Sequence, residues 1–184
     1  MYIVPKDSRQ RYTKQCLYDA FLNALETKQV SSITVSEISK ESGISRKTFY
    51  KYYSDPFALL FALEEDLFVG LIQELETLPP VIFDIVPALI RFTAEHKTLM
   101  RAAFENQRDD GFIDQVMRYI YDTYHVQWEN ANPLMPQHDV EYLFHYVVSG
   151  VIGIIRYWLL RDPELPVEEM IEKADFLMRL SEPK

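Results

Sequence analysis

The segment that most constrains the fold is residues 33–53, ITVSEISKESGISRKTFYKYY, which predicts two short helices joined by a tight turn. Thr34 and Glu37 have the spacing of a capping box, in which each side chain bonds the other residue's backbone N–H at a helix start. Gly43 suits the left-handed backbone that ends a helix, and Ser45 can cap the next helix. Two capped helices around a glycine turn predict a helix-turn-helix.

The second helix of this segment, expected from about Arg46 to Tyr52, carries side chains that suit DNA. Arg and Lys neutralise phosphates or bond guanine edges, while Thr and Tyr hydroxyls reach bases and phosphate oxygens. Phe49 and Tyr53 are expected to face the core. The candidate DNA-binding residues are Thr34, Ser45, Arg46, Lys47, Thr48, Tyr50, Lys51 and Tyr52. An ordinary corner between two helices, with a solvated polar face, is the other interpretation of this pattern.

The charge of the chain is unevenly distributed. The net charge of −9 is unusual for a DNA-binding protein. Residues 1–55 contain nine Lys or Arg and six Asp or Glu, a net charge of +3, whereas residues 56–184 contain ten and twenty-two, a net charge of −12. Binding to phosphate requires positive charge. The basic part of the chain therefore coincides with the predicted helix-turn-helix, and the acidic remainder is expected to face away from DNA.

The same segment resembles the DNA-binding signature of the TetR (tetracycline-repressor) family, which reads roughly T-x-x-x-I-A-x-x-A-G-V-S-x-G-x-x-Y-x-H-F. The matching positions are Thr34, Ile38, Gly43, Ser45, Tyr50 and Tyr53. This resemblance covers about residues 8–70, and beyond them it rests on length and helical character. It implies a dimeric, cytoplasmic, all-helical transcription regulator, more often a repressor than an activator.

The sequence departs from that signature at five positions, namely Ser39, Ser42, Lys47, Tyr52 and Pro56. Pro56 stands where the family often has a lysine that contacts a phosphate, so one expected phosphate contact is missing. Lys47 or Lys51 is a candidate to supply that charge. These departures leave room for a second function, a TetR-like protein that acts mainly through a protein partner as a co-regulator, with weak or no DNA binding.

The rest of the chain also predicts helices, because it has only five glycines and no Asn-Gly or Asp-Gly turn between alternating runs. We expect an all-α fold of about nine helices. A three-helix DNA-binding domain is expected at residues 8–68, with its helix-turn-helix at about 34–53. A C-terminal helical bundle for ligand binding and dimerisation is expected at residues 69–184. The boundary falls inside a long helix that Asp55 caps and Pro56 begins.

The helix expected at residues 139–160 carries two apolar stripes, so it must be buried on two sides. One stripe suits the core of its own domain. The other contains Tyr142 and the four residues predicted to form a dimer interface, Tyr146, Gly150, Gly153 and Tyr157. Small glycines flanked by tyrosines favour close approach of a helix from a symmetric partner. Burial under the chain's own last helix, about residues 166–180, is the alternative.

A regulator released by a small molecule needs an apolar cavity with a few polar groups in its C-terminal bundle. The candidate lining residues are Arg91, Phe92, His96, Met100, Phe104, Met117, Tyr121, Trp128 and His145. Ordinary core packing is the alternative for each of them. The aromatic content of 14% would suit an apolar or aromatic effector.

No catalytic site, metal site or cofactor is predicted. The chain lacks the G-x-S-x-G nucleophile motif and the phosphate-binding P-loop. His138, Glu141 and His145 recur along one helix, and Asp122 and His125 along another, but the paired Glu-x-x-His motifs of di-iron bundles are missing. A helical-bundle metalloenzyme is therefore the least favoured class.

The sequence favours a cytoplasmic protein without a membrane partner. A single cysteine, Cys16, excludes an intramolecular disulfide and suits a reducing compartment. No signal peptide is visible. The longest apolar run, residues 147–155, is far shorter than the roughly 20 residues that a membrane-spanning helix needs.

Overall fold

The computed structural model describes residues 6–79, 81–131 and 133–180. Within these ranges it contains nine α-helices, one 3₁₀ turn at Val30–Ser32 and no strand, which confirms the all-α prediction. The helices are α1 (Lys6–Leu25), α2 (Val35–Ser42), α3 (Arg46–Phe49), α4 (Pro56–Leu75), α5 (Ile82–Glu95), α6 (Lys97–Glu105), α7 (Phe112–Ala131), α8 (Gln137–Arg161) and α9 (Val167–Leu180).

The chain divides into two compact units, residues 1–66 and residues 67–184. The division falls inside α4. The domain boundary expected from the sequence, between residues 68 and 69, lies slightly further along the same helix.

The N-terminal unit has a core to which each of its helices contributes. Leu17 and Phe21 of α1, Ile38 of α2 and Phe49 of α3 are fully buried. The α1 residues recur at helical spacing, so one face of that helix is apolar. Burying such side chains removes apolar surface from water, which stabilises the fold by roughly 25 cal/mol for each Å² buried. Packing therefore holds together helices that are too short to be stable alone.

Helix α4 begins as the sequence predicts. The Asp55 carboxylate accepts a hydrogen bond of 2.8 Å from the Ala58 N–H, and Pro56 is the first helical residue. This bond, together with one from Ser54, lowers the pKa of Asp55. A single apolar face is buried along the whole helix, comprising Leu60, Leu63, Leu67, Leu71 and Leu75.

In the C-terminal unit, α8 packs against α5, α6, α7 and α9, so it is the central helix of the bundle. The chain breaks between two shorter helices at His96, since α5 ends at Glu95 and α6 begins at Lys97. The indole N–H of Trp158 donates to the Leu165 carbonyl at 2.9 Å and fixes the turn into α9. The buried face of α8 comprises Val140, Phe144, Val147, Val148, Val151, Ile155 and Trp158.

Helix α8 is also long and apolar enough, by length and composition alone, to cross a bilayer. The expectation of no membrane segment rested on a short apolar run and did not consider this helix as a whole. Central helices of soluble proteins pass the same test. Here one face of the helix is buried among its neighbours in the bundle.

Candidate nucleic-acid interface

Both short helices of the helix-turn-helix begin at the predicted caps. The Thr34 hydroxyl accepts from the Glu37 N–H at 3.3 Å, and the Glu37 carboxylate accepts from the Thr34 N–H at 3.0 Å. Helix α2 ends at Gly43, whose φ of +69° lies in the left-handed region that favours glycine. The Ser45 hydroxyl accepts from the Thr48 N–H at 3.2 Å, and α3 begins at Arg46. The capping predictions are confirmed.

The Glu37 side chain also links this motif to the end of α1. Its carboxylate accepts hydrogen bonds from the Lys28 ammonium and from the backbone and hydroxyl of Thr34. These donors, Lys28 foremost, lower the pKa of Glu37 from 4.5 to about 2. The carboxylate is therefore ionised at neutral pH, at the helix end where negative charge is favourable.

Helix α3 is shorter than predicted, because α-helix ends at Phe49 and not at Tyr52. Residues 50–52 form a hydrogen-bonded turn, in which the Tyr52 and Tyr53 N–H groups both donate to the Phe49 carbonyl at 2.9 and 3.0 Å. A new helix starts at Pro56, and helical backbone is disfavoured immediately before a proline. The chain must therefore leave the helical conformation within a few residues of Phe49.

The basic side chains predicted to contact DNA lie on the surface. Arg46, Lys47 and Lys51 are exposed. The Arg46 guanidinium donates to the hydroxyl of Ser36 on α2 at 3.4 Å. Sequence reasoning missed Ser36, whose only signal is its position on the exposed side of α2. This contact directs Arg46 across the two helices of the motif.

The tyrosines and hydroxyls of the set are placed differently. Tyr50 is 59% exposed, and its ring packs edge-on against Phe49 with 5.7 Å between ring centroids. Tyr52 and Thr48 are half-buried. The Ser45 and Thr48 hydroxyls lie 2.9 Å apart, so they share a hydrogen bond at the start of α3. Thr34 and Ser45 thus act as helix caps, and α3 with its following turn presents three basic groups and one phenol to solvent.

The C-terminal half of the chain identifies the family. Residues 82–180 match the TetR-family profile described as "Transcriptional regulator C-terminal region". This match covers more than half of the chain. The chain belongs to the TetR family of transcriptional regulators. Members of this family are transcriptional regulators.

A curated relative extends this assignment. The uncharacterized HTH-type transcriptional regulator YxbF from Bacillus subtilis (strain 168) is 25% identical over 166 residues, which cover 85% of this chain and 42% of that protein. This chain therefore spans less than half of that relative's length.

Two solved structures share the fold. The fatty acid degradation regulator FadR from Bacillus halodurans has a TM-score of 0.67 at 11% identity, covering 90% of this chain and 94% of its own. A tetR-family transcriptional regulator from Streptomyces coelicolor has a TM-score of 0.60 at 18% identity, covering 92% and 81%. At these identities the likeness concerns the fold alone.

The TetR-family C-terminal region contains an apolar cavity, but it is small. Its volume is about 30 Å³, and Phe92, Met100 and Phe104 of the predicted ligand pocket line it. Arg91 lies elsewhere, exposed, with its guanidinium 3.1 Å from the Glu168 carboxylate on α9. The structure thus brings together only part of the predicted pocket.

The other predicted pocket residues form separate contacts. His96 packs on the Phe92 ring with centroids 4.4 Å apart, and Met117 is half-buried. Tyr121 stacks on the exposed His145 of α8 at 5.4 Å, in an aromatic cluster that also contains His125, Phe144 and Trp128. The lining of the cavity does not include this cluster, and sequence periodicity could not distinguish the two.

The predicted dimer face of α8 is exposed in the single chain. Tyr146 and Tyr157 are 69% and 65% exposed, and a Cβ added to Gly150 or Gly153 would meet no atom within 4 Å. Helix α9 buries Met170, Ala174 and Met178, and its exposed Leu177 and Leu180 line a surface groove together with Tyr146 and Gly150 of this face. The alternative expectation, burial of the α8 tyrosines and glycines under the chain's own last helix, is therefore wrong.

The histidines weighed as metal ligands are not assembled into a site. Among residues 6–79, 81–131 and 133–180, no three His, Cys, Asp or Glu side chains are grouped so that they could hold a metal ion. His138 instead packs edge-on against Tyr142, with ring centroids 4.7 Å apart.

Proposed function

We propose that this TetR-family chain binds a near-palindromic DNA operator as a homodimer in the cytoplasm, acts as a repressor, and is released by a small apolar or aromatic effector. The observation that carries this proposal is the capped, surface-exposed α3, which presents basic side chains and a tyrosine from the one part of the chain with net positive charge. A structural corner between helices would need no such side chains.

DNA contact is assigned to α3 and the turn that follows it. Arg46 is suited to guanine edges because its planar guanidinium can form two parallel hydrogen bonds. Lys47 and Lys51 are suited to phosphates, where they would supply the positive charge that Pro56 cannot. Tyr50 can donate its hydroxyl to a phosphate oxygen. The capping bonds at Thr34 and Ser45 fix the two helices of the motif. They do not involve the side chains that we assign to DNA contact.

Dimerisation is assigned to the exposed face of α8 and α9. Exposed tyrosines and leucines next to two accessible glycines form an apolar surface of the kind that marks an interface. A symmetric dimer carries two copies of α3, and two recognition helices that enter successive major grooves, about 34 Å apart, read a palindromic site.

Effector release requires the bundle to change. A pocket for a small molecule needs roughly 300 Å³ or more, about ten times the cavity beside Phe92 and Phe104. A ligand that binds there must therefore separate helices of the bundle. It would favour a dimer conformation with lower affinity for DNA. The size of this shift is set by the difference between the ligand's affinities for the two conformations.

Selection of bound duplexes from a random pool, followed by salt titration of the enriched sequence, tests the proposal. We expect an enriched palindrome and an affinity that falls steeply with salt, because Lys and Arg displace counterions from DNA. An absence of enrichment, with weak binding that disappears at physiological salt, would contradict operator binding. It would favour the protein-partner alternative instead.

Single substitutions then test the assigned side chains. Arg46→Ala and Tyr50→Ala should each weaken binding to the selected duplex by about 1–3 kcal/mol, roughly fivefold or more, without altering the dimer. Lys97→Ala, at an exposed lysine in the C-terminal unit, is the matched control and should leave the affinity unchanged. Unchanged binding in both test variants would refute this assignment.

A further inference from the structure

Tyr53 has a hydroxyl that its packing role does not require. Its side chain is only 7% exposed, and its ring lies 5.8 Å from the Phe49 ring and 6.2 Å from the Tyr52 ring, between centroids. A phenylalanine would make the same ring contacts. A buried phenol normally finds a hydrogen-bond partner, since an unsatisfied one is costly.

That partner is Tyr18 on α1. The Tyr53 hydroxyl donates to the Tyr18 hydroxyl at 3.2 Å, which is longer than the roughly 2.5–3.0 Å usual for a bond between two hydroxyls. The two ring centroids are 6.3 Å apart. Burial, the Tyr53 hydroxyl and the Asp66 carboxylate all raise the pKa of Tyr18, so this phenol stays protonated and can donate in turn. Tyr53 is therefore the donor of this pair and Tyr18 its acceptor.

The pair lies just beyond the C-terminal end of α3, which Tyr50 caps through its backbone N–H. A four-residue helix has little stability of its own, so its orientation depends on fixed points at its two ends. Ser45 fixes the start through its bond to the Thr48 N–H. At the other end the backbone passes through a turn to Tyr53. There the hydrogen bond between the Tyr53 and Tyr18 hydroxyls links this turn to α1.

We propose that Tyr18 and Tyr53 are positioning residues for the DNA-binding site, holding the turn after α3 to α1 in the orientation that lets Arg46 and Tyr50 contact DNA. This inference rests on the proposed DNA-binding function and deepens it. Neither phenol needs to touch DNA. Removing the bond leaves the apolar core intact but lets the end of α3 move, so fewer molecules hold the binding-competent orientation at any time.

The test uses Tyr18→Phe, Tyr53→Phe and the double variant, each of which removes a hydroxyl and keeps its ring. Tyr119→Phe on α7 is the matched control. Loss of one long hydrogen bond should lower the affinity for the selected duplex by about two- to fivefold. The double variant should lose no more than the single variants, because all three remove the same bond. Affinity for a random duplex, which depends on charge, should not change.

A second measurement does not depend on DNA. Hydrogen exchange of the Tyr52 and Tyr53 backbone amides should accelerate in both single variants and not in Tyr119→Phe, while the Leu17 and Phe21 amides of α1 keep their rates. Unchanged exchange at Tyr52 and Tyr53 would overturn the proposal. A uniform acceleration across α1 to α4 would also overturn it, because the bond would then stabilise the whole unit and position nothing.

The two measurements separate this inference from the function on which it rests. If the unmodified chain enriches no duplex, the proposed function fails and the role in DNA binding fails with it, whatever the exchange rates show. If the unmodified chain binds its duplex and the phenylalanine variants bind it equally well, DNA binding stands and the positioning role is refuted.

Discussion

The N-terminal and C-terminal units of this chain are specified in different ways. In the helix-turn-helix, single side chains fix the ends of helices: Thr34 and Ser45 begin them, and Gly43 ends one. In the C-terminal bundle, helix ends are less marked, and the helix with the largest set of neighbours, α8, begins after Pro136 with no side-chain cap. Local hydrogen bonds can be predicted from a sequence, whereas the mutual packing of long apolar helices cannot.

The charges of the two parts follow the same division. The basic residues predominate in the part of the chain for which we propose a DNA partner, and the acidic residues predominate in the bundle for which we propose apolar partners. The net charge of the whole chain, −9, describes neither part. For a regulator of this kind the distribution of charge predicts the binding partner, and the total does not.

Phe49→Ala would test whether the caps can hold the N-terminal unit without its core. Phe49 is fully buried, so truncation should cost about 3–5 kcal/mol of unfolding free energy. A cap is worth about 1 kcal/mol, so the caps cannot compensate. Urea denaturation followed by circular dichroism would measure the loss. Phe57→Ala, at a ring 37% exposed, is the control and should cost far less. Equal costs for the two would show that packing matters less here than we argue.

Gly150→Leu would test the C-terminal unit in the same way. It should leave the protomer folded and weaken the proposed dimer. No atom lies within 4 Å of an added Cβ at Gly150. At a twofold interface the extra bulk enters twice, and overpacking at about 1 kcal/mol or more per copy raises the dimer dissociation constant roughly thirtyfold or more. Sedimentation equilibrium would measure it. Asp122→Leu, exposed on α7, should leave the dissociation constant unchanged. A dimer that tolerates Gly150→Leu would place the interface elsewhere.

Glu37→Gln gives the smallest effect and tests the local electrostatics. The folded pKa of Glu37, about 2, lies below its ordinary 4.5, so the carboxylate stabilises the fold above about pH 4.5, and this contribution is lost as the pH falls towards 2. The stability difference between the unmodified chain and Glu37→Gln should thus be constant above about pH 5 and narrow towards pH 2. Thermal unfolding across this range would measure it, with Glu41→Gln on the same helix as control. A difference that persists at the lowest pH would exclude the ionised carboxylate as its source.

Sequence reasoning recovered the helices and the caps because both depend on neighbours along the chain. It placed the end of α3 too late, since the turn after Phe49 is set by the burial of Tyr53 and the restart of the chain at Pro56. It also grouped Phe92 with Tyr121 in one pocket, although helix packing separates them. Periodicity shows which side of a helix is apolar, but not which neighbour covers it. The bond between Tyr18 and Tyr53 joins positions far apart in the chain and left no signal.

The two glycines on α8 affect the stability of a single protomer. Glycine in a helix interior costs up to about 1 kcal/mol relative to alanine, so α8 is weakest at the surface where we place the partner. Association would offset that weakness by mass action, and the melting temperature would rise with protein concentration. Dilution of such a dimer would then lower its folded fraction as well as its occupancy of DNA, so the abundance of the protein would control both.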